Sequence, residues 1–187
     1  MAQVNTNEFR SGIKVEIDGE PYIMVSNEFV KPGKGQPFNR TKLKHLITGR
    51  VVERTFKSGE KLDLADVEER KLRLLYKEQD AAVFMDDDSF EQITVPLSLI
   101  GNNQQWLMEE ILYDLIFYKG EVIDVSPPTF MEMKIVETAP GLRGDTSGRV
   151  LKAALTESGA KIQVPIFVEE GQKIKIDTRT CEYVSRV

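Results

Sequence analysis

Short runs of alternating apolar and polar residues, separated by turn pairs, restrict the fold of this 187-residue chain more than any other feature. Residues 13–17 alternate, Asp18-Gly19 is a turn pair, and residues 22–25 resume the alternation, which predicts a β-hairpin. Residues 38–47 and 51–57 form a second pair of predicted strands around Thr48-Gly49. The sequence therefore predicts an all-β fold.

Helical patterns are scarce. The best window is residues 103–118, whose apolar residues could form one helical face. Residues 112–118 fit a strand equally well, so we expect at most a short helix around Trp106. The chain shows neither the strand and helix alternation of a nucleotide-binding α/β fold nor a repeat of solenoid length.

Two points divide the chain into units of about 60 residues, each long enough for a five-stranded barrel. The only Pro-Pro pair, Pro127-Pro128, follows one strand-like segment and precedes another. A weaker boundary lies at residues 64–66, where the charge balance changes. The predicted domains are residues 1–64, 65–127 and 128–187.

The net charge of −5 argues against a general nucleic-acid binder, but the charge is unevenly distributed. Residues 1–64 carry 11 basic and 8 acidic residues (+3), residues 65–128 carry 5 and 14 (−9), and residues 129–187 carry 9 and 8 (+1). Only the first third is suited by charge to contact phosphates.

Several classes of site are disfavoured. A single cysteine excludes an intramolecular disulfide and a multi-cysteine metal site. Cys181 lies in an alternating segment and is predicted to be a small strand residue rather than a nucleophile. The run Asp86-Asp87-Asp88 favours a solvated turn over a cation site. The first residues lack a signal-peptide pattern and no apolar run could span a membrane, so we expect a cytoplasmic protein.

The segment 31–37 carries the most functional information. Pro32 and Pro37 bracket it, and Gly33 and Gly35 flank Lys34, so the backbone can adopt positive φ on both sides of the lysine. This pattern predicts a lysine presented alone at the tip of a hairpin, although such connections are most often plain turns. A phosphate-binding P-loop does not fit, because Gln36 is not a hydroxyl residue.

The next predicted strand places Arg40, Lys42 and Lys44 on one face, over about 13 Å at 3.3 Å per residue. Two interpretations remain open: a solvated face, or a surface that follows an RNA backbone. His45 falls on the other face and is predicted to be a packed strand residue.

Four further motifs stand out in the first third: Asn7-Glu8-Phe9-Arg10, Asp18-Gly19-Glu20-Pro21-Tyr22, residues 29–36 (Phe-Val-Lys-Pro-Gly-Lys-Gly-Gln) and Arg54-Thr55-Phe56-Lys57-Ser58. Together they resemble the first domain of the elongation factor P family.

The last third resembles the same family independently. The matching segments are residues 137–146, Lys152-Ala153-Ala154, Gly159, Val164-Pro165, Gly171, and residues 177–179 and 182–186. Ala153 stands where the family usually has proline. The middle third matches more loosely, through residues 84–86 and 89–92, so the resemblance covers essentially the whole chain.

The resemblance implies a fold and a task. The fold is an SH3-like, KOW-type N-terminal barrel followed by two OB-fold barrels, in an L shape like tRNA. The task is to bind the ribosome between the P and E sites, beside the P-site peptidyl-tRNA and ribosomal RNA, and to relieve stalling at consecutive prolines. No cofactor, metal or enzymatic activity is implied, and we expect a monomer without membrane contact.

The resemblance also implies roles for particular residues. Lys34 is the lysine that a modifying enzyme alters, and lysine rather than arginine at this position leaves several modification chemistries open. The residues supporting it near the CCA end of the tRNA are Lys31, Pro32, Gly33, Gly35 and Gln36, and the RNA backbone contacts are Arg40, Lys42 and Lys44. The third-domain loop near tRNA and mRNA contains Arg143, Gly144, Asp145, Thr146 and Gly148.

Two alternatives are an elongation-factor-P-like paralogue and a generic OB-fold binder of single-stranded RNA. The latter stacks bases on aromatic residues over a basic groove. Here the middle third is acidic, and the few aromatic residues are predicted mostly at core positions. An enzyme is disfavoured, because no convergent set of catalytic residues is evident.

Overall fold

The computed structural model describes residues 2–140 and 150–187, and nearly all of their regular structure is β-strand. The first strands are β1 Gln3–Asn5, β2 Lys14–Ile17, β3 Glu20–Val30, β4 Phe38–His45, β5 Val51–Lys57 and β6 Lys61–Leu64. Those that follow are β7 Val67–Lys77, β8 Ala81–Met85, β9 Gln92–Pro96, β10 Leu112–Tyr118 and β11 Glu121–Ser126. The last are β12 Phe130–Thr138, β13 Leu151–Thr156, β14 Lys161–Pro165, β15 Lys173–Asp177 and β16 Glu182–Arg186. The all-β prediction is confirmed.

The strands form three sheets, each built from one third of the chain. The first has the order β1-β6-β2-β3-β4-β5, and the second has the order β11-β10-β7-β8-β9. The third closes into a barrel with the order β12-β13-β14-β16-β15. The first sheet thus contains six strands, one more than the five expected from the length of the segment.

The predicted hairpin at Asp18-Gly19 is confirmed. β2 and β3 pair antiparallel, with Ile17 opposite Glu20. Asp18 and Gly19 adopt φ of 55° and 80°, as a two-residue turn with both central residues in the left-handed region requires. The second predicted pair is confirmed as β4 and β5, although β4 ends at His45, two residues earlier than expected.

Helical structure is short, as predicted. A 3₁₀ helix covers Gly101–Trp106, and residues 112–118 form the strand β10 rather than a helix. One α-helical turn, α1 Leu97–Ile100, lies outside the predicted window. A second 3₁₀ helix covers Thr6–Glu8.

Buried clusters lie under the first sheet and inside the third barrel. In the first sheet, residues including Val15, Met24 and Leu43 pack with a T-shaped pair of rings, Phe9 and Phe56. The second cluster fills the third barrel, where Trp106 packs with residues such as Met133, Ile135 and Ile174.

A buried phenol fixes the segment after Trp106. The Tyr113 hydroxyl donates to the Trp106 carbonyl at 2.7 Å and accepts from the Met108 N–H at 2.9 Å. Burial raises the pKa of Tyr113 to about 12, so this phenol stays protonated and keeps its donor.

The chain divides into two compact units. One contains residues 1–70 and 115–124, and the other contains residues 71–114 and 125–187. The domain boundaries predicted near residue 64 and at Pro127-Pro128 stay predictions.

Two local expectations have different outcomes. Cys181 is not a strand residue: it lies in the turn before β16 with a φ of 59°, half-buried against the barrel core. The strand prediction was wrong because alternation continues through this turn. The acidic run does form a turn, in which the Asp86 carboxylate accepts the N–H groups of Asp88 and Ser89.

Candidate functional site

The segment 31–37 joins β3 and β4, and Lys34 stands at its tip. The two strands pair up to Val30 opposite Phe38, so the loop continues a hairpin. Lys34 is exposed and forms no ion pair or hydrogen bond with any residue that the structure describes. Gln36 and Lys31 are exposed as well, and Pro32 and Pro37 are half-buried. The predicted placement of Lys34 at a hairpin tip is therefore observed.

The two glycines beside Lys34 behave differently. Gly35 adopts a φ of 112°, and a Cβ there would lie 3.8 Å from the Pro32 ring. Gly33 does not adopt a positive φ, contrary to the expectation for both sides of the lysine. One left-handed residue is enough to reverse the chain here, because the two prolines already restrict the ends of the loop.

A buried polar network lies at the base of this hairpin. The side-chain amide oxygen of Asn27, Oδ1, accepts from Asn39 Nδ2 at 3.0 Å and from Thr41 Oγ1 at 3.1 Å. Asn27 Nδ2 donates to the Phe9 carbonyl at 3.1 Å, and Asn39 Nδ2 donates to the Thr6 carbonyl at 3.3 Å. Asn39 and Thr41 are almost fully buried. The network ties β3 and β4 to the 3₁₀ helix Thr6–Glu8 and to Phe9 directly after it, and so fixes the direction in which the loop projects.

Replacing Asn27 with alanine should lower the free energy of unfolding by about 1–3 kcal/mol, because the buried Thr41 hydroxyl would lose its acceptor and the Phe9 carbonyl its donor, and Asn39 would keep only the Thr6 carbonyl. Chemical denaturation followed by circular dichroism measures the change. Ser26→Ala, at the exposed neighbouring position of β3, is the matched control and should change stability little. Equal stability of the two variants would mean that the network does not hold the hairpin.

The basic face of β4 is confirmed as a geometric feature. Arg40, Lys42 and Lys44 are exposed, and the residues between them, Thr41 and Leu43, are buried. We call these three cations the basic stripe. The stripe lies on β4, the strand that directly follows the loop with Lys34 at its tip.

Acidic residues of the neighbouring strands reduce the charge of the stripe at one end. Arg40 lies 3.8 Å from carboxylate oxygens of both Glu28 and Glu53. Lys42 and Lys44 form no ion pair within the described part of the chain, although Glu53 stands opposite Lys42 in the register. Two free cations and one partly neutralised cation therefore face solvent.

His45 ends β4 and organises the turn that follows. Its Nδ1 accepts the N–H groups of Ile47 and Thr48, so the ring proton sits on Nε2, which lies 3.2 Å from a Glu20 carboxylate oxygen. The ring also packs edge-on against Tyr22. His45 is therefore a structural residue, as predicted, with the added role of capping a turn.

Not every expected site residue can be located. Arg143, Gly144, Asp145, Thr146 and Gly148 lie outside the described residues. The Asn27 network was missed by sequence reasoning, although polar asparagines at strand positions 27 and 39 are an unusual pattern that could have indicated it.

The aromatic residues are less uniformly buried than the sequence suggests. Five of the fifteen are exposed by more than two fifths of their surface. These are Phe29, Tyr76, Phe90, Phe130 and Phe167. The sequence analysis disfavoured base stacking because the aromatic residues were predicted mostly at core positions. That reason does not apply to these five residues.

Within residues 2–140 and 150–187, no group of three or more His, Cys, Asp or Glu residues is arranged to hold a metal ion. None of the helices in this part of the chain has the length and apolar character needed to cross a membrane.

Two solved structures share the fold. One is a eukaryotic translation initiation factor 5A from Methanococcus jannaschii, with a TM-score of 0.52 and 24% identity over 66% of this chain and 95% of that chain. The other is a translation initiation factor eIF-5A family protein from Naegleria fowleri, with a TM-score of 0.55 and 13% identity over 67% and 97%. The chain thus shares its fold class with these factors.

Sequence comparison identifies the family. Residues 5–62 match the elongation factor P KOW-like domain, residues 67–125 match its OB domain, and residues 131–186 match its C-terminal domain. The chain is 65% identical to elongation factor P 2 of Protochlamydia amoebophila and 60% identical to elongation factor P 2 of Chlamydia caviae, over 100% of this chain and 99% of each relative. The chain belongs to the elongation factor P family, a family of translation elongation factors whose membership implies ribosome binding.

Proposed function

We propose that this protein binds the ribosome between the P and E sites and stimulates peptide-bond formation at consecutive prolines through Lys34. The observation that carries the proposal is the exposed Lys34 at the tip of a hairpin whose base is held by the Asn27 network. Such a hairpin can present a long, thin cationic side chain to a narrow RNA cavity.

The proposed task requires orientation and no catalytic group in the protein. The ring of proline restricts φ and makes this residue a poor partner in peptide-bond formation. Holding the reacting groups in a productive geometry can lower the barrier by several kcal/mol. Ribosomal RNA carries out the bond formation, and Lys34 and the residues around it hold the end of the peptidyl-tRNA.

We further propose that an enzyme modifies Lys34. Glycines on both sides leave its amine open to an active-site cavity, because neither neighbour has a side chain to shield it. Intact-mass spectrometry of the native protein, with peptide mapping around Lys34, tests this step. A mass increase confined to the Lys34 peptide is expected, and a native protein without added mass would contradict the modification.

The other proposed parts follow from family membership. The loop with Gly144, Asp145 and Thr146 serves as a second anchor near tRNA and mRNA, and the protein acts as a cytoplasmic monomer. Cosedimentation of the purified protein with ribosomes tests the docking, because a generic RNA binder would associate equally with free RNA.

Replacing Arg40, Lys42 and Lys44 together with glutamine should weaken ribosome binding and reduce its salt dependence. Each phosphate contact contributes about one unit to the slope of log affinity against log salt. Because Glu28 and Glu53 already partly neutralise Arg40, the slope should fall by about two units rather than three.

Binding titrations at several salt concentrations measure this slope. Lys61→Gln, which removes an exposed lysine from the same sheet outside the stripe, is the control and should leave the slope nearly unchanged. The same slope in the triple variant and the wild type would show that the stripe is only solvated.

A further inference from the structure

Phe29 lies on β3, five residues before Lys34, and 60% of its surface is exposed. It stands opposite Asn39 of β4, which in turn stands opposite Phe56 of β5. Paired residues share one face of a sheet, so these three side chains form a single row. Asn39 is 3% exposed and Phe56 is 7% exposed. A row that is buried at β4 and β5 therefore ends at β3 in an exposed ring, on the strand that leads into the Lys34 loop.

The opposite face of the same hairpin is charged. Glu28 and Arg40, which are the sequence neighbours of Phe29 and Asn39, stand opposite each other there, and both are exposed. The basic stripe continues along this face. Because side chains alternate between the two faces of a strand, Phe29 and the stripe point away from each other. The hairpin thus has two chemically different faces that both border the Lys34 loop: a charged face suited to RNA, and a face whose exposed group is an apolar ring.

The position of Phe29 beside the loop is unusual for an exposed apolar residue of this sheet. Val51, for example, is 54% exposed but stands opposite Lys44, near the end of β4. Lys44 is six residues beyond Phe38, or about 20 Å further from the loop. Among the exposed large apolar residues in the described part of the first sheet, Phe29 is the one that adjoins the Lys34 loop.

An enzyme that modifies Lys34 has to distinguish it from other exposed lysines of the same sheet, such as Lys57 and Lys61. The glycines and prolines around Lys34 offer few side-chain contacts, so a second contact close to the loop is needed. Burying the exposed part of one phenylalanine ring strengthens binding by about tenfold to a hundredfold. Phe29 and Lys34 are at most about 17 Å apart along the chain, so a patch of about 800 Å², the usual size for one partner, covers both.

We propose that Phe29 is the docking contact for the enzyme that modifies Lys34: its ring enters an apolar pocket beside the active site into which Lys34 reaches. The inference rests on the proposed modification of Lys34. The enzyme approaches the hairpin from the face of Phe29, and ribosomal RNA approaches it from the face of the basic stripe. Modification should therefore not depend on the stripe, and ribosome binding should not depend on Phe29.

Intact-mass spectrometry of the full-length protein, sampled at intervals after induction in cells of its native source, measures the rate of modification. Phe29→Ala should be modified about tenfold more slowly than the wild type, and Phe29→Leu, which keeps an apolar side chain, should lie between them. Val51→Ala is the matched control, because it removes a similarly exposed apolar side chain from the same sheet. It should be modified at the normal rate, and the melting temperatures of all three variants should change little.

A second comparison separates the two faces. The triple variant Arg40→Gln, Lys42→Gln and Lys44→Gln should be modified at the wild-type rate, although it binds ribosomes weakly. Phe29→Ala and the wild type, both produced in a host that leaves Lys34 unmodified, should cosediment with ribosomes to the same extent.

Three outcomes would overturn the inference and leave the proposed modification intact. The first is modification of Phe29→Ala at the wild-type rate. The second is slow modification of the triple variant alone, which would place the enzyme on the basic face. The third is a loss of ribosome binding in unmodified Phe29→Ala, which would place the ring against RNA. A wild type that gains no mass would instead contradict the modification itself, and this inference with it.

Discussion

Lys34→Ala should reduce synthesis of a reporter containing a run of prolines to the level seen without the protein. The side chain is exposed and forms no ion pair or hydrogen bond with a described residue, so its removal should change the free energy of unfolding by no more than about 0.5 kcal/mol. A near-complete loss of activity at nearly unchanged stability is the pattern expected of a side chain that acts on a bound partner.

The reporter is measured in cells lacking the native factor, with the melting temperature of each purified variant. Lys57→Ala, at an exposed position of β5 in the same sheet, is the matched control and should keep most of the rescue. Normal rescue by Lys34→Ala would show that another residue carries the function.

Trp106→Ala should lower the free energy of unfolding by about 3–5 kcal/mol, the largest stability effect expected in this chain. The indole is 1% exposed and packs into the core of the third barrel. Its removal leaves a cavity among side chains that rigid strands hold in place, so the core cannot collapse to fill it. The carbonyl that accepts from Tyr113 remains, so the cost arises mainly from packing.

Chemical denaturation followed by far-ultraviolet circular dichroism measures this loss, because the variant lacks the only tryptophan. Asn102→Ala, an exposed position on the same 3₁₀ helix, should change stability little. A cost below about 1 kcal/mol for Trp106→Ala would mean that this helix is not anchored through the indole.

Local chemistry was sufficient to predict much of the fold. Asp18-Gly19 predicts its hairpin because few residue pairs adopt two consecutive positive φ angles easily. Arg40, Lys42 and Lys44 were placed on one face because side chains alternate along any strand. Both inferences depend only on residues that are close together in the sequence.

Features that depend on partners distant in sequence could not be predicted in the same way. The partial neutralisation of Arg40 depends on the register that places Glu28 and Glu53 on either side of it. The Asn27 network requires a contact with the carbonyl of Phe9. The exposure of Phe167 depends on the loop that follows β14, because alternation alone does not show where a strand ends.

The seven-residue loop around Lys34 was also only partly predictable from its sequence. Its prolines and glycines predicted a tip, and the tip is observed. Which glycine adopts the positive φ was not predictable, because glycine tolerates this conformation at either position and a proline stands close to each of them in the sequence.

The rate of peptide-bond formation between two prolines, measured on purified ribosomes with and without the protein purified from its native source, tests the central claim most directly. We expect the protein to accelerate this step and to leave the rate of bond formation between two phenylalanines nearly unchanged. The Lys34→Ala variant should not accelerate the proline step. Equal rates for the proline pair with and without the protein would contradict the account.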